Sequence, residues 1–243
     1  MTLAVLAALV TLCLGAPAAA RADPPWLAPL AAAGNGEQAT PPWHVAGLPH
    51  QTKPVTRFGI VMLAGERVLR IAADSSYGNL VHPLPDVLGV HRLSWRWRVD
   101  EPNTRGDLRQ KSGDDSPAKV CLLFDMPLDR VPFIERQLLR MVRGGSDEPL
   151  PAASVCYVWD AKLAAGTTLD NAFSRRVRYI VLRGADAPLA TWQREQRDIA
   201  ADFRRLFSDE SAEVPPLQGV AVSGDADNTQ GHSVAYVADV TLD

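Results

Sequence analysis

The ten residues HRLSWRWRVD, His91 to Asp100, constrain the fold more than any other stretch of the chain. In an extended backbone successive side chains point to opposite faces, so Leu93, Trp95, Trp97 and Val99 share one side while Ser94, Arg96 and Arg98 share the other. The first side belongs in a core. The second, carrying two cations, must meet water or a ligand. A chain with this strand is expected to fold as a sheet with one buried and one open face.

Strand-like runs recur on either side of it. TRFGIVML and RVLRIAAD are separated by Ala64-Gly65-Glu66, a connection short enough for a hairpin. Further runs lie at 118–124, 154–159, 176–183, 218–223 and 233–242. Roughly eight strands without helices alternating between them predict a mainly β chain. The expected architecture is a two-sheet β-sandwich, jelly-roll-like or galactose-binding-like, with two helices at its periphery. One helix is predicted to start at an Asp129 cap and end near Arg143, before Gly144-Gly145, with Ile134, Leu138 and Met141 or Val142 on one side. The other is predicted over WQREQRDIAADFRRLF with Thr191 as cap and Trp192, Ile199, Phe203 and Leu206 as its buried stripe. The expected core is Trp95, Trp97, Leu122, Phe124, Tyr157, Trp159, Ile180, Leu182, Val220, Tyr236 and Phe203.

The chain opens MTLAVLAALVTLCLGAPAAARADPP, an apolar run followed by small residues and Ala20-Arg21-Ala22. That pattern fits a signal peptide over residues 1–22, although no cation precedes the apolar run. The run is shorter than the roughly 20 residues that span a bilayer, so no transmembrane anchor is expected after cleavage. Cys13 follows Val10-Thr11-Leu12, which does not resemble a lipobox. Residues 23–54 read as a Pro- and Ala-rich lead-in that wraps the domain, and 55–243 as a single sandwich domain in a periplasmic or secreted protein. The formal charge of −3 recommends neither nucleic acid nor an anionic membrane as partner. A carbohydrate, another envelope component or a protein fits better, and the oligomeric state cannot be read. Cys121 and Cys156 both sit in strand-like runs, each followed four residues later by an aspartate, Asp125 and Asp160. A disulfide is allowed, with two separate buried thiols as the somewhat favoured reading.

Chemistry-bearing residues gather in two polar turns. Asp225-Ala226-Asp227-Asn228-Thr229 resembles the start of an EF-hand loop, but Gln230 and Tyr236 stand where its glycine and glutamate belong. A different Ca2+ site on Asp225 and Asp227 remains open beside a plain turn shaped by Asx hydrogen bonds. Gly231-His232-Ser233-Val234-Ala235 imitates a nucleophile elbow, yet Ser233 opens a strand where the elbow needs a helix. The second turn, KSGDDSP, carries Lys111, Asp114 and Asp115. Adjacent carboxylates diverge along an extended chain, so either would need a distant partner for acid/base work. Arg96 and Arg98 on the open face are candidates for an anionic group or sugar hydroxyls. Arg194, Asp198 and Asp202 read as a salt network on one helix face. No pair of histidines has zinc-site spacing, and no catalytic residue stands out.

Taken in order, LSWRWRVD, KSGDDSPAKVCLLFD, VCYVWD, WQREQRDIAADFRRLF and GVAVSGDADNTQGHSVAYVADV resemble the bacterial domain-of-unknown-function 3047 family from about Thr56 onward. The resemblance rests on Trp95 and Trp97; Gly113, Asp114 and Asp115; Tyr157 and Trp159; Trp192, Arg197, Asp198, Asp202, Phe203 and Phe207; and Asp225, Asp227, Asn228 and Thr229. Ser208 departs from it, standing where a glycine is expected. The resemblance implies no reaction. It implies a sugar-binding-like sandwich in which a polar loop before the last strand orders a ligand cleft. The expected function is a non-catalytic module binding carbohydrate or another envelope ligand, with Arg96, Arg98, Lys111, Asp114, Asp115, Asp225, Asp227 and Asn228 as candidate contacts. A polysaccharide hydrolase or lyase using those carboxylates, or a structural partner in a secreted complex, are the alternatives. The two turns are expected to meet at the rim of a cleft, where calcium, Arg96, Arg98 or Lys111 must offset the repulsion of four carboxylates.

Overall fold

In the computed structural model, residues 26–48, 50–145 and 149–243 are described, and the predicted leader with Cys13 lies outside them. The described strands are β1 (Gly34–Asn35), β2 (Gln38–Ala39), β3 (His44–Ala46), β4 (Arg57–Leu63), β5 (Glu66–Asp74), β6 (Asn79–Val87), β7 (Arg92–Glu101), β8 (Ala118–Phe124), β9 (Ala153–Trp159), β10 (Thr168–Asp170), β11 (Val177–Arg183), β12 (Gln193–Asp198), β13 (Leu217–Ser223) and β14 (His232–Leu242). Two helices accompany them, α1 (Phe133–Arg143) and α2 (Ile199–Phe207). A seven-stranded sheet runs β10-β11-β9-β8-β13-β6-β3 and a five-stranded sheet β12-β7-β14-β5-β4. Their pairings are antiparallel apart from β9 with β11. The result is the expected mainly β, two-sheet sandwich. No described helix is long and apolar enough to cross a membrane.

The tryptophan ladder decides how the sheets face each other. Trp95 and Trp97 of the five-stranded sheet meet Tyr157 and Trp159 of the seven-stranded sheet, with ring centroids 5.2 Å and 5.7 Å apart. Such pairs add about 0.5–1.5 kcal/mol beyond their burial. Leu122, Phe124, Ile180, Val220 and Phe203 are buried with them. Leu182 packs against this core while partly exposed. Tyr236 does not join it. Its ring lies on the outer face of the five-stranded sheet, 5.9 Å from the Arg98 guanidinium, because the inward positions of β14 are Ala235 and Val237. The β4–β5 hairpin turns on Ala64 and Gly65, both at positive φ (51° and 84°), the geometry that matches the strand twist.

Several elements differ from the sequence reading. Gln193–Asp198 is strand, not helix, because the free edge of β7 offers it a continuous antiparallel ladder from Gln193 opposite Trp97 to Asp198 opposite Arg92. The helix starts only at Ile199, where the Asp198 carboxylate accepts the Ala201 amide at 2.8 Å. Arg194, Asp198 and Asp202 therefore do not share a helix face, and Asp202 instead takes Arg197 and the Tyr157 hydroxyl. Strand β6 carries Pro83 and Pro85, yet β3 covers only its Asn79–Val81 portion, so both prolines lie past the end of that neighbour. Helix α1 begins at Phe133 without a side-chain cap, and its stripe of Ile134, Leu138, Met141 and Val142 faces solvent. Cys121 and Cys156 stand directly opposite on β8 and β9 and form a disulfide, where separate thiols were the favoured reading. The lead-in contributes β3 to the larger sheet and buries Leu27, Leu30 and Trp43.

Candidate functional site

Three chain segments cross between the sheets at one end of the sandwich, and sheet order forces them to lie side by side. The segment 102–117 leaves β7 for β8, 224–231 leaves β13 for β14, and 75–78 leaves β5 for β6. In the large sheet β8, β13 and β6 are consecutive; in the small sheet β7, β14 and β5 are consecutive. The 224–231 loop, with Asp225, Asp227, Asn228 and Thr229, is therefore central. The 102–117 loop, with Lys111, Asp114 and Asp115, flanks it on one side, and Ser76 and Tyr77 flank it on the other.

The segments are stitched by hydrogen bonds that the acidic residues accept. Asp115 takes the backbone amides of Asn228 (3.1 Å) and Thr229 (2.7 Å). Asp225 takes the Ser116 amide at 2.7 Å through one oxygen and the Lys119 ammonium at 2.5 Å through the other. The Asn228 amide group donates to the Asp114 carbonyl at 3.3 Å. On the other flank the Ala226 amide reaches Ser76 O, and the Thr56 hydroxyl donates to Gly224 O. Gly224 permits this approach, since a Cβ there would come within 2.6 Å of Pro117 O. Asp114 turns toward the seven-stranded sheet, where Asn171 and the Tyr179 hydroxyl donate to it. The convergence expected of the two turns is thus present, but Asp114, Asp115 and Asp225 are buried inside packed loops and do not form an open rim.

Lys119 supplies the positive charge. Burial works against its protonation, but Asp225, with Tyr179, Asp114 and Tyr77, outweighs burial and holds the ammonium well above the usual lysine range. Burial also raises Asp225, and Lys119 lowers it. The pair is charged, because protonating Asp225 would leave a buried ammonium without its counter-charge. Asp114 is raised by burial and further by Asp115 beside it; Asp227, half-buried, is raised by burial and by the same neighbour. Asp107 pins the outer part of the 102–117 loop. Its carboxylate takes Arg109 through two nitrogens, each at 2.8 Å, which holds it at about 2.

Asp115, Asp225 and Asp227 each bring one oxygen within 4.8 Å of the others, a spacing that could hold a cation. The oxygens of Asp115 and Asp225 already accept amide or ammonium donors. Arg96 and Arg98 are not part of the cluster. Arg96 pairs with Glu66 and, at 2.6 Å, with Asp239, and Arg98 pairs with Asp100 at 2.5 Å, all on the outer face of the five-stranded sheet. Lys111 is exposed, its ammonium 5.4 Å from the ring of Phe173.

Sequence reasoning missed Lys119, Asn171 and Phe173. Asn171 has two roles: its oxygen accepts the amides of Phe173 (2.9 Å) and Ser174 (3.0 Å), and its nitrogen donates to Asp114 and Tyr179. It thereby anchors the backbone at Phe173, whose ring, 57 % exposed, stands beside Lys111 of the 102–117 loop. An Asx turn around Asn171 was readable in DNAFS, but its neighbour in space was not.

The chain belongs to the family described as "Protein of unknown function (DUF3047)", whose model matches residues 41–241. No functionally curated protein matches it. Among solved structures, it is similar to TmCBM61 in complex with beta-1,4-galactotriose, at 11 % identity and a TM-score of 0.38, covering 91 % of this chain and 99 % of that one. The K2 cleaved adhesin domain of Lys-gingipain is similar at 10 % identity and 0.38, covering 89 % and 97 %. Endoglucanase 3 of Trichoderma harzianum, from family GH12, gives 9 % and 0.40, covering 85 % and 99 %.

Proposed function

We propose that the protein is a non-catalytic binding module of the bacterial envelope that takes a neutral, hydroxyl-rich ligand of the oligosaccharide class on the outer side of the seven-stranded sheet, where the 102–117 loop meets the β10–β11 connection. The observation that carries this reading is Phe173, an exposed ring whose backbone amide is bonded to Asn171, beside Lys111 and the buried Asp114. An exposed apolar ring next to polar groups suits a sugar, which has both an apolar face and hydroxyls. The partly exposed Asp227 and Asn228 add donors and acceptors beside the same 102–117 loop. Catalysis is disfavoured because Asp114, Asp115 and Asp225 are buried and committed to donors, whereas a general acid or base must reach its substrate. The leader-like residues 1–22 and the Cys121–Cys156 disulfide support a periplasmic or secreted location.

A glycan array followed by calorimetry on the best hit tests the proposal. Phe173→Ala is expected to weaken binding about tenfold or more, the equivalent of roughly 1.4 kcal/mol, without lowering the melting temperature. A glycan bound equally well by Phe173→Ala would remove the site. An array without hits, or turnover of a polysaccharide that is lost in Asp115→Asn, would remove the function.

A further inference from the structure

The Lys119–Asp225 contact holds a nucleophile and an acyl carbon together out of water. Lys119 Nζ lies 2.5 Å from Asp225 Oδ2, and the two side chains are 6 % and 3 % exposed. A carboxyl C–O bond adds about 1.2 Å, so Asp225 Cγ is no more than about 3.7 Å from the nitrogen, close to the separation from which bond formation starts. Both partners are held there by the backbone. Lys119 is fixed in β8, between β9 and β13. Asp225 is clamped to Ser116 twice: its own amide donates to Ser116 O at 3.0 Å, and the Ser116 amide donates to its Oδ1 at 2.7 Å. That second donor points at the oxygen on which negative charge develops when Cγ is attacked. Tyr179 covers the site with its ring 5.9 Å from Nζ, and Asp114, 5 % exposed, is a third acid whose charge both partners feel.

We propose that Lys119 and Asp225 condense into an intramolecular isopeptide bond, a covalent tie between β8 and the 224–231 loop across 106 residues of sequence. The ion pair is the reactant. One proton passes from the ammonium to Asp225 Oδ2 along the hydrogen bond that joins them, which gives a neutral amine and a neutral acid and leaves the net charge of the site unchanged. Burial, which opposes the ammonium and the carboxylate alike, favours this neutral pair. The Nζ lone pair then attacks Cγ, and the charge that develops on Oδ1 meets the Ser116 amide. A second proton moves from nitrogen to the departing Oδ2 hydroxyl, the Cγ–Oδ2 bond breaks, and one water leaves. The balance needs no oxidant and no cofactor. The product replaces two buried charges, whose desolvation a salt bridge offsets poorly, with one neutral amide. Exclusion of bulk water from the site then protects that amide from hydrolysis.

The test is the intact mass of the purified protein, reduced and unfolded, against the mass of its own sequence. It is expected to fall short by one water. Trypsin is expected to release residues 112–130 and 206–243 as a single branched peptide, uncut after Lys119. Lys119→Arg and Asp225→Ala are each expected to show the full mass and separate peptides. A wild type at full mass overturns the proposal, and that outcome requires no variant to fold. A water loss that persists in Lys119→Arg, or that maps to the 206–243 peptide alone, overturns it in favour of a succinimide at Asp225. A branched peptide joined through another lysine or another acid overturns it as well.

Discussion

Lys119→Met is the sharpest perturbation of the crossover end. The Lys119 and Asp225 side chains are 6 % and 3 % exposed and 2.5 Å apart. Removing the ammonium leaves the Asp225 carboxylate buried with the Ser116 amide as its remaining donor. Losing one member of a buried pair costs about 3–5 kcal/mol. At about 2–4 °C per kcal/mol for a chain of this size, the melting temperature should fall by roughly 6–20 °C. Asp225→Asn keeps an oxygen for Ser116 but strands the ammonium, so it should cost a similar amount. The double variant contains neither buried charge. It should be less destabilised than the sum of the singles by about 2–3 kcal/mol, the coupling expected of directly contacting groups. Urea unfolding followed by the fluorescence of the buried Trp95, Trp97 and Trp159 measures all three. Arg96→Ala is the control, and as a surface pair it should cost about 1 kcal/mol or less. Additive singles, or a Lys119→Met variant less than about 1 kcal/mol below wild type, would refute the account of Lys119 as the cation that offsets the acidic cluster.

Three further outcomes follow from the same contacts. A chelator should leave the melting temperature unchanged, because the oxygens of Asp115 and Asp225 already have donors; a drop restored by calcium would place an ion at Asp115, Asp225 and Asp227. Burial raises Asp114 and Asp227, so the native state binds more protons than the unfolded chain above about pH 4, and their effect is to lower stability as pH rises toward neutral. Asp107, held at about 2, acts in the opposite sense, its contribution intact above about pH 4 and lost as pH falls through 2. A melting profile with its maximum in the mildly acid range is expected, and one that climbs steadily from about pH 5 to about pH 8 contradicts it. Asp198→Ala should cost about 1 kcal/mol by removing the cap of α2; no loss would mean that the helix does not depend on that bond.

What the sequence made legible is what local periodicity encodes. The alternation through Trp95 and Trp97 assigned β7, its inward face and the sandwich, and the same rule placed β8, β9, β11, β13 and β14 to within about two residues. The sequence misled wherever a neighbour decides. Arg194, Asp198 and Asp202 fit a helix by spacing, yet the open edge of β7 gave Gln193–Asp198 backbone partners that a helix there would forgo. In α1 the apolar spacing was read correctly as a helix, but spacing cannot say which side of that helix the domain occupies.

The acidic cluster shows the same limit most clearly. Both turns visibly lead into strands, but their meeting depends on β8 pairing with β13 while β7 pairs with β14, two facts about sheet order that no local pattern carries. Lys119 was hidden for a related reason. Alternation in β8 puts Ala118, Val120, Leu122 and Phe124 in the core, which assigns Lys119 and Cys121 to the outer face and, by the usual rule, to water. That face is covered instead: Leu108 from the 102–117 loop, Tyr179, Val181 and the Cys121–Cys156 pair build a second small apolar cluster on it. The loop that delivers Asp115 to the 224–231 segment is therefore the loop that helps to close off the outer face of the large sheet. Burial of Lys119 and convergence of the carboxylates have one cause, and a change that lifts the 102–117 loop should release both together.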